Sequence, residues 1–273
     1  MVLEVLVLGS GGPFASPRRA SSGYLVGVSG GRRVLVDAGG GVLLRLGEQG
    51  IDPATIDAVV LTHTHADHTG GLGAVVFAAT MAGGARPLEV LGPTGRDIHP
   101  GAERFADLLF GEAGAWSYLH TFDGFAVHAH DLPSDPEWDT RPCLAAEGEP
   151  QIHSVAVSHG MMPSVAYRLE HEGRSVVLSG DPDGYQESIA ELARGCDVLV
   201  HDFALPERET EHGHLHAKPS EVGRVAADAG AGRLVLTHVM PEHEDELEAS
   251  LALVAQAYDG EVVVAEDGLR LEV

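Results

Sequence analysis

Apolar residues in this chain come in short, dense runs that alternate with stretches whose apolar positions recur at helical spacing. "VLEVLVL" (2–8), "YLVGV" (24–28) and "RVLVDAG" (33–39) read as strands broken by glycine- and proline-bearing turns. Residues 42–49 have a helical pattern, "DAVVL" (57–61) is a buried strand, and "GLGAVVFAATMAG" (71–83) a helix. "PLEVLG" (87–92) predicts a strand and "GAERFADLLFG" (101–111) a helix. The second half repeats the style. "HSVAVSH" (153–159), "SVAYRLE" (164–170) and "SVVLSGD" (175–181) are consecutive strands. Helix "YQESIAELARG" (185–195), strand "CDVLVHD" (196–202), helix "PSEVGRVAADAG" (219–230) and strand "RLVLTHV" (233–239) follow. An acidic helix over 243–257 and two closing strands, "EVVVAE" and "LRLEV", complete the pattern.

Both halves thus run from strands into strand–helix units and end in a histidine-bearing strand. That repetition predicts an α/β protein, a pseudo-symmetric αββα sandwich of two mixed sheets packed face to face with helices on the outer faces. Residues 131–150, rich in proline and acid, read as a surface loop and not a linker. Residues 1–273 are therefore expected to form one domain, with 100–150 as a lid or loop insert.

Composition narrows this only a little. An apolar fraction of 44% with 5% aromatics suits an α/β enzyme. No apolar run approaches the ~18 residues of a membrane span, and the N-terminus lacks a basic leader, so no membrane partner and a cytoplasmic location are expected. Cys143 and Cys196 make no disulfide framework. The charge is more distinctive: 17 Lys plus Arg against 41 Asp plus Glu gives −24. Such a field repels a polyanion unless a local basic patch overrides it, which argues against a large nucleic-acid partner.

The chemistry sits at strand ends. "LTHTHADHTGG" places His63, His65, Asp67 and His68 directly after "DAVVL", while His159, Asp181, His201, Asp202 and His238 each follow a later apolar run. Strand ends of stacked α/β sheets converge on one edge, so these segments can meet there. His63 and His65, two apart on extended chain, point the same way; Asp67 and His68 open the next helix. Imidazole mixed with carboxylate suits Zn²⁺, Mn²⁺ or Fe²⁺, and a two-metal hydrolytic site needs about seven protein ligands.

"THTHADH", "SHG", "SGD" and "LTH" together resemble the metallo-β-lactamase superfamily across nearly the whole chain. "LGSGGPFASPRRASSGYLV", "VDAGGGVLLRLGEQGI" and "HAKPSEVGRVAADAGAGRLVLTH" are similar to its ribonuclease Z-like and phosphodiesterase branch. The resemblance implies two divalent metal ions, zinc first with manganese or iron as alternatives. It implies His63, His65 and His159 on one, Asp67, His68 and His238 on the other, and Asp181 shared. It further implies hydrolysis by a hydroxide bridging the pair, with Asp67 accepting the proton of the attacking water. His216 falls where that branch keeps a histidine beside the scissile phosphate, and is expected to steady the phosphoryl oxygens or protonate the leaving oxygen. Asp202 would orient His216 or a ligand histidine, or else simply cap a strand. His212 and His214 read as loop residues, and Arg18 and Arg19 as a solvated turn.

Only 21 residues separate His159 from Asp181 and 13 separate Asp202 from His216, too few for the long arm with which ribonuclease Z grips transfer RNA. With the charge, this directs the reading to a small-molecule substrate, a small or cyclic phosphodiester. The alternatives are a lactone, thioester or amide hydrolase of the same fold, then transfer-RNA processing or a non-catalytic metal-binding protein. A homodimer is expected from the resemblance alone.

Overall fold

The computed structural model of the chain describes residues 2–28, 31–83, 87–134, 141–144 and 150–273. Strands β1 (Leu3–Gly9), β2 (Gly23–Val28), β3 (Arg33–Val36), β4 (Ala58–Val60), β5 (Leu88–Pro93) and β6 (Val127–Leu132) belong to the first half. Helices α1 (Val42–Glu48), α2 (Ala66–Thr69), α3 (Leu72–Met81) and α4 (Ala102–Phe110) interleave with them. In the second half β7 (Arg141–Leu144), β8 (Gln151–Val157), β9 (Ser164–His171) and β10 (Arg174–Leu178) precede α5 (Glu187–Leu192). Then come β11 (Val198–Asp202), α6 (Pro219–Ala229), β12 (Arg233–Thr237), α7 (Leu247–Val254), β13 (Glu261–Val264) and β14 (Arg270–Glu272).

These strands form two seven-stranded mixed sheets, ordered β14-β1-β2-β3-β4-β5-β6 and β13-β12-β11-β10-β9-β8-β7. Each is antiparallel on one side and parallel on the other, through β3–β6 in the first and β10–β13 in the second. The apolar runs are continuous because both faces of each sheet are covered. Along β1, Leu3, Val5 and Val7 enter the core between the sheets with Tyr167, Leu169, Val176 and Val200. Leu6 and Leu8 point the other way, under the outer helices with Val42, Leu46 and Leu72. The second sheet backs onto α5, α6 and α7 through Ile189, Val222, Val225 and Val254.

Helical periodicity over 243–257 overshoots: Pro241–Glu246 is a 3₁₀ turn and the α-helix starts only at Leu247. Of the segment read as a lid, residues 102–110 form α4 and 127–132 form β6, the edge strand of the first sheet. Residues 135–140 and 145–149 of it lie outside the described residues. Among the described residues no helix is long and apolar enough to cross a membrane.

The parallel strands place the site. β3, β4, β10, β11 and β12 all end at the same edge of the sandwich: Asp37 and His238 directly follow β3 and β12, His63 and Asp181 come three residues after β4 and β10, and Asp202 is the last residue of β11. Two of these residues leave their strands in the left-handed region, Asp37 at φ 59° and His238 at φ 61°. This conformation is costly for a side-chain-bearing residue and concentrates at functional sites. Gly39 is required for a different reason: a Cβ there would lie 2.1 Å from the Asp67 carbonyl oxygen, so only glycine lets the α2 turn come this close.

Candidate metal centre

His63, His65 and His159 come together as one set of three donors, and Asp67, His68 and His238 as another. Asp181 lies with His63 and His68 and also with His216 and His238, so it stands between the two sets. All seven residues singled out as ligands thus meet at one edge of the sandwich, and His216 joins them. His201, from the same list of strand ends, does not: its Nδ1 turns back to the Asp202 carbonyl at 2.9 Å.

The spacing of donor atoms tests whether these residues suit a metal. Two ligands about 2.0–2.1 Å from a tetrahedral ion stand roughly 3.3 Å apart. His65 Nδ1 lies 3.0 Å from His63 Nε2 and 3.3 Å from His159 Nε2. In the second set His68 Nε2 and His238 Nε2 are 3.3 Å apart, and His238 Nε2 is 3.2 Å from Asp67 Oδ2. Asp181 Oδ2 is 3.2 Å from His68 Nε2 and 3.3 Å from His238 Nε2. These separations match the ligand-to-ligand edges expected around a tetrahedral ion, and the N/O donor set suits a divalent cation.

The far sides of three of the rings support this reading. Nδ1 of His159 donates to the Leu215 carbonyl (3.0 Å), leaving Nε2 as the lone-pair face. Nδ1 of His68 donates to Asp37 Oδ2 (2.7 Å). Nδ1 of His63 donates to Thr62 Oγ1 (3.1 Å), which itself donates to Asp37 Oδ2 (2.9 Å). A single buried carboxylate, Asp37, therefore steers a histidine of each set, directly for His68 and through Thr62 for His63. Such outer partners fix ring orientation and tautomer. Sequence reasoning passed over Asp37, although "VDAG" shows the same strand-end signature as the other sites. The Leu215 carbonyl left no signal, since every residue carries one.

Electrostatics divides the rings. Burial, reinforced by neighbouring imidazoles, holds His63 well below its ordinary value and brings His159 down to about 4. Burial also lowers His65. These three are neutral at pH 7, as ligands must be. His68 goes the other way: burial opposes its charge, but Asp181 and Asp37 on either side raise it well above the usual range. Burial disfavours the Asp181 carboxylate too, yet His238 and His68 hold it well below the usual carboxylate range. For His216, burial is outweighed by the charge and hydrogen bond of Asp202, and it rises to about 9. Nδ1 of His216 donates to Asp202 Oδ2 at 3.1 Å, and the other Asp202 oxygen faces His238 Nδ1 at 3.5 Å. Asp202 thus reaches both a candidate ligand histidine and His216.

Over this centre opens a cleft of about 260 Å³, bordered by Pro13, Phe14, His212, Leu215, His216 and Met240. His212, read from sequence as a loop residue, is part of that wall. Arg19 also departs from expectation. It is 9% exposed and binds Glu244 and Ser10, because its guanidinium neutralises an acid beneath the N-terminal loop. Only Arg18 projects into solvent, where it pairs with Glu244.

The profile of the beta-lactamase superfamily domain matches residues 32–239. Ribonuclease Z of Mycobacterium bovis is 32% identical over 289 aligned residues, covering 100% of this chain and 99% of the relative. Among solved structures, the metallo-beta-lactamase fold protein YhfI from Bacillus subtilis is 27% identical over the whole of both chains, with a TM-score of 0.78. The short form of human tRNase Z shares the fold at 22% identity and a TM-score of 0.77, covering 98% of each chain. The ribonuclease Z relatives overturn the expectation that a large nucleic acid is disfavoured. A −24 net charge is a whole-surface quantity and does not set the field inside one cleft. The short gaps exclude no such activity either, since a relative bearing that name aligns almost end to end with this chain and has little length left over. Matched over most of its length by the superfamily profile and end to end by these relatives, the chain belongs to the metallo-β-lactamase superfamily and, within it, to the ribonuclease Z-like hydrolases.

Proposed function

We propose that this hydrolase is a phosphodiesterase working with two divalent ions, zinc first and manganese or iron as alternatives. His63, His65 and His159 would hold one, Asp67, His68 and His238 the other, with Asp181 shared. Ions held there would supply Lewis-acid neutralisation of the phosphoryl oxygens and acidify the attacking water. The observation that carries the reading is the grouping of seven donors into two sets at ligand-edge spacing with a buried, proton-bearing histidine alongside.

The residues divide the remaining work. Asp67, whose carboxyl stays below its usual range because His238 and His68 outweigh the cost of burial, is positioned to accept the proton of the attacking water. His216 has its Nδ1 proton committed to Asp202, which leaves Nε2 to face the cleft and carry a proton to the leaving oxygen. That donor favours substrates whose leaving group is a poor, strongly basic alkoxide, as in a phosphodiester. A cleft of this size takes a small or cyclic phosphodiester whole. Following the relatives named ribonuclease Z, it would equally take the scissile phosphodiester of an RNA, of which only the cleaved linkage has to enter.

The test is turnover by the zinc- or manganese-loaded protein of bis-p-nitrophenyl phosphate, a 2′,3′-cyclic nucleotide and a 3′-extended transfer RNA, beside a β-lactam and an acyl lactone. Hydrolysis of phosphodiesters, lost in His63→Ala and Asp181→Ala, is expected. Turnover of the lactone or lactam with no phosphodiester cleaved would overturn the proposal.

A further inference from the structure

The loop from Ser10 to Ala20 leaves β1, passes over the centre and returns to β2. Its ends are held together by one side chain from the far end of the chain. Asp267 Oδ1 accepts from the Ser10 amide (3.0 Å) and hydroxyl (2.8 Å), while Oδ2 accepts from the Ala20 amide (2.7 Å) and Arg45 Nε (2.9 Å). Arg19 adds a second clasp, donating to Ser10 Oγ (2.9 Å) and the Ala265 carbonyl. Such compact loops with joined ends are frequently functional. This one presses directly on the centre: a Cβ at Gly12 would lie 2.7 Å from His238 Cε1, and Val239 donates to the Ser10 carbonyl at 2.9 Å. The next two residues, Pro13 and Phe14, form a wall of the cleft. Phe14 is 47% exposed, with its ring 6.2 Å from that of His212 across the same cleft.

With Pro13, Leu215 and Met240, Phe14 gives the cleft an apolar part beside the candidate ligand residues. The loop bonds hold the two ends of the segment that carries it, at Ser10 and at Arg19 and Ala20. We propose that Asp267 is a positioning residue for substrate recognition: by closing the 10–20 loop it fixes Phe14 as an apolar wall that takes the planar organic group borne by the scissile phosphate. This deepens the phosphodiesterase reading and rests on it. Asp267 touches neither substrate nor a candidate ligand; it acts through the loop.

The test compares Asp267→Asn, Phe14→Ala and the double variant in the metal-loaded full chain, with bis-p-nitrophenyl phosphate as probe. Each single variant is expected to raise KM by about five- to tenfold with kcat within about twofold and bound metal unchanged. The double variant should be no worse than Phe14→Ala, because both act through the same wall. Ser10→Ala, which removes one hydroxyl, should move KM the same way by less and serves if Asp267→Asn folds poorly. Amide hydrogen exchange across residues 10–20 should quicken in Asp267→Asn and Ser10→Ala but not in Phe14→Ala. Asp197→Asn, which unties Ser175 and Arg174 in the second sheet, is the control and should keep the wild-type KM. Unchanged exchange and KM in Asp267→Asn would overturn the proposal, as would an equal KM rise in the control or a loss of kcat and metal with KM unmoved. Exchange needs no turnover. A wild-type protein that cleaves none of the three phosphodiesters would therefore sink the phosphodiesterase reading, and the wall's substrate role with it, while the loop-closing role of Asp267 is still judged by exchange.

Discussion

Asp202 and His216, fourteen positions apart, form a buried carboxylate–imidazole pair in which Nδ1–H of His216 points to Asp202 Oδ2 at 3.1 Å. The carboxylate sets both the tautomer and the charge of the ring, so replacing it by an amide changes the chemistry while keeping the shape. Asp202→Asn is expected to lower kcat by about 10²–10³-fold, as is His216→Ala. The double variant should lose little more, because the two act as one unit. Steady-state kinetics with metal analysis checks this. Equal, multiplicative losses would show that they work separately.

Asp37 supports His68 directly and His63 through Thr62. Asp37→Asn should therefore weaken metal binding about 10- to 100-fold in both sets of donors, with the fold retained. Competition titration against a zinc chelator reads this directly. A change confined to one equivalent of metal would contradict the shared role.

Without metal, His68 lies between Asp37 and Asp181 and carries a proton well above its ordinary range. Metal binding has to displace that proton. Calorimetric titration of the metal-free protein at pH 7, in buffers of different ionisation enthalpy, should show about one proton released with one of the equivalents of metal. His68→Ala should abolish that release. Chelation should end turnover, and zinc or manganese should restore it.

The stability of the metal-free protein should fall on both sides of neutrality. His159 ionises at about 4 when folded and near 6.5 otherwise, so from pH 6.5 downward the unfolded chain gains a proton that the folded one does not. Stability present above 6.5 is lost as the pH drops to about 4, on the order of 3 kcal/mol for this ring. His63 and His65 act in the same sense. His216, raised to about 9, contributes stability below 6.5 that disappears as the pH rises through 9. Denaturant titrations from pH 4 to 10 should give a maximum near neutrality. His159→Asn should flatten the acid limb and Asp202→Asn the alkaline one.

Four candidate ligands, His63, His159, Asp181 and His238, were legible because each closely follows an apolar strand and strand ends share an edge; His65, Asp67 and His68 came with the turn that carries His63 into α2. Asp37 bears the same mark, but the strand expected over 33–39 runs past it, whereas β3 stops at Val36, so it does not stand out as a strand-end residue. Helix 243–257 was overdrawn because Pro241 and its acidic neighbours fit a 3₁₀ turn as well as an α-helix. Strand β6 escaped notice: as an edge strand it alternates exposed polar residues (His128, His130) with partly covered apolar ones, which reads as loop. The clasp of Asp267 on Ser10 and Ala20 joins residues about 250 positions apart, a relationship no local pattern encodes. The expectation about RNA failed because a bulk charge stood in for a local field.

Strand β14 pairs with β1 in the first sheet although it follows every strand of the second. During synthesis the opening half must therefore wait, one border unpaired, until the closing residues have left the ribosome. His238 likewise arrives after the histidines it joins. The two sets of donors are thus completed at different times: His63, His65 and His159 are together once the first half and β8 have been made, whereas the set of Asp67 and His68 waits for His238 near the end of the second sheet.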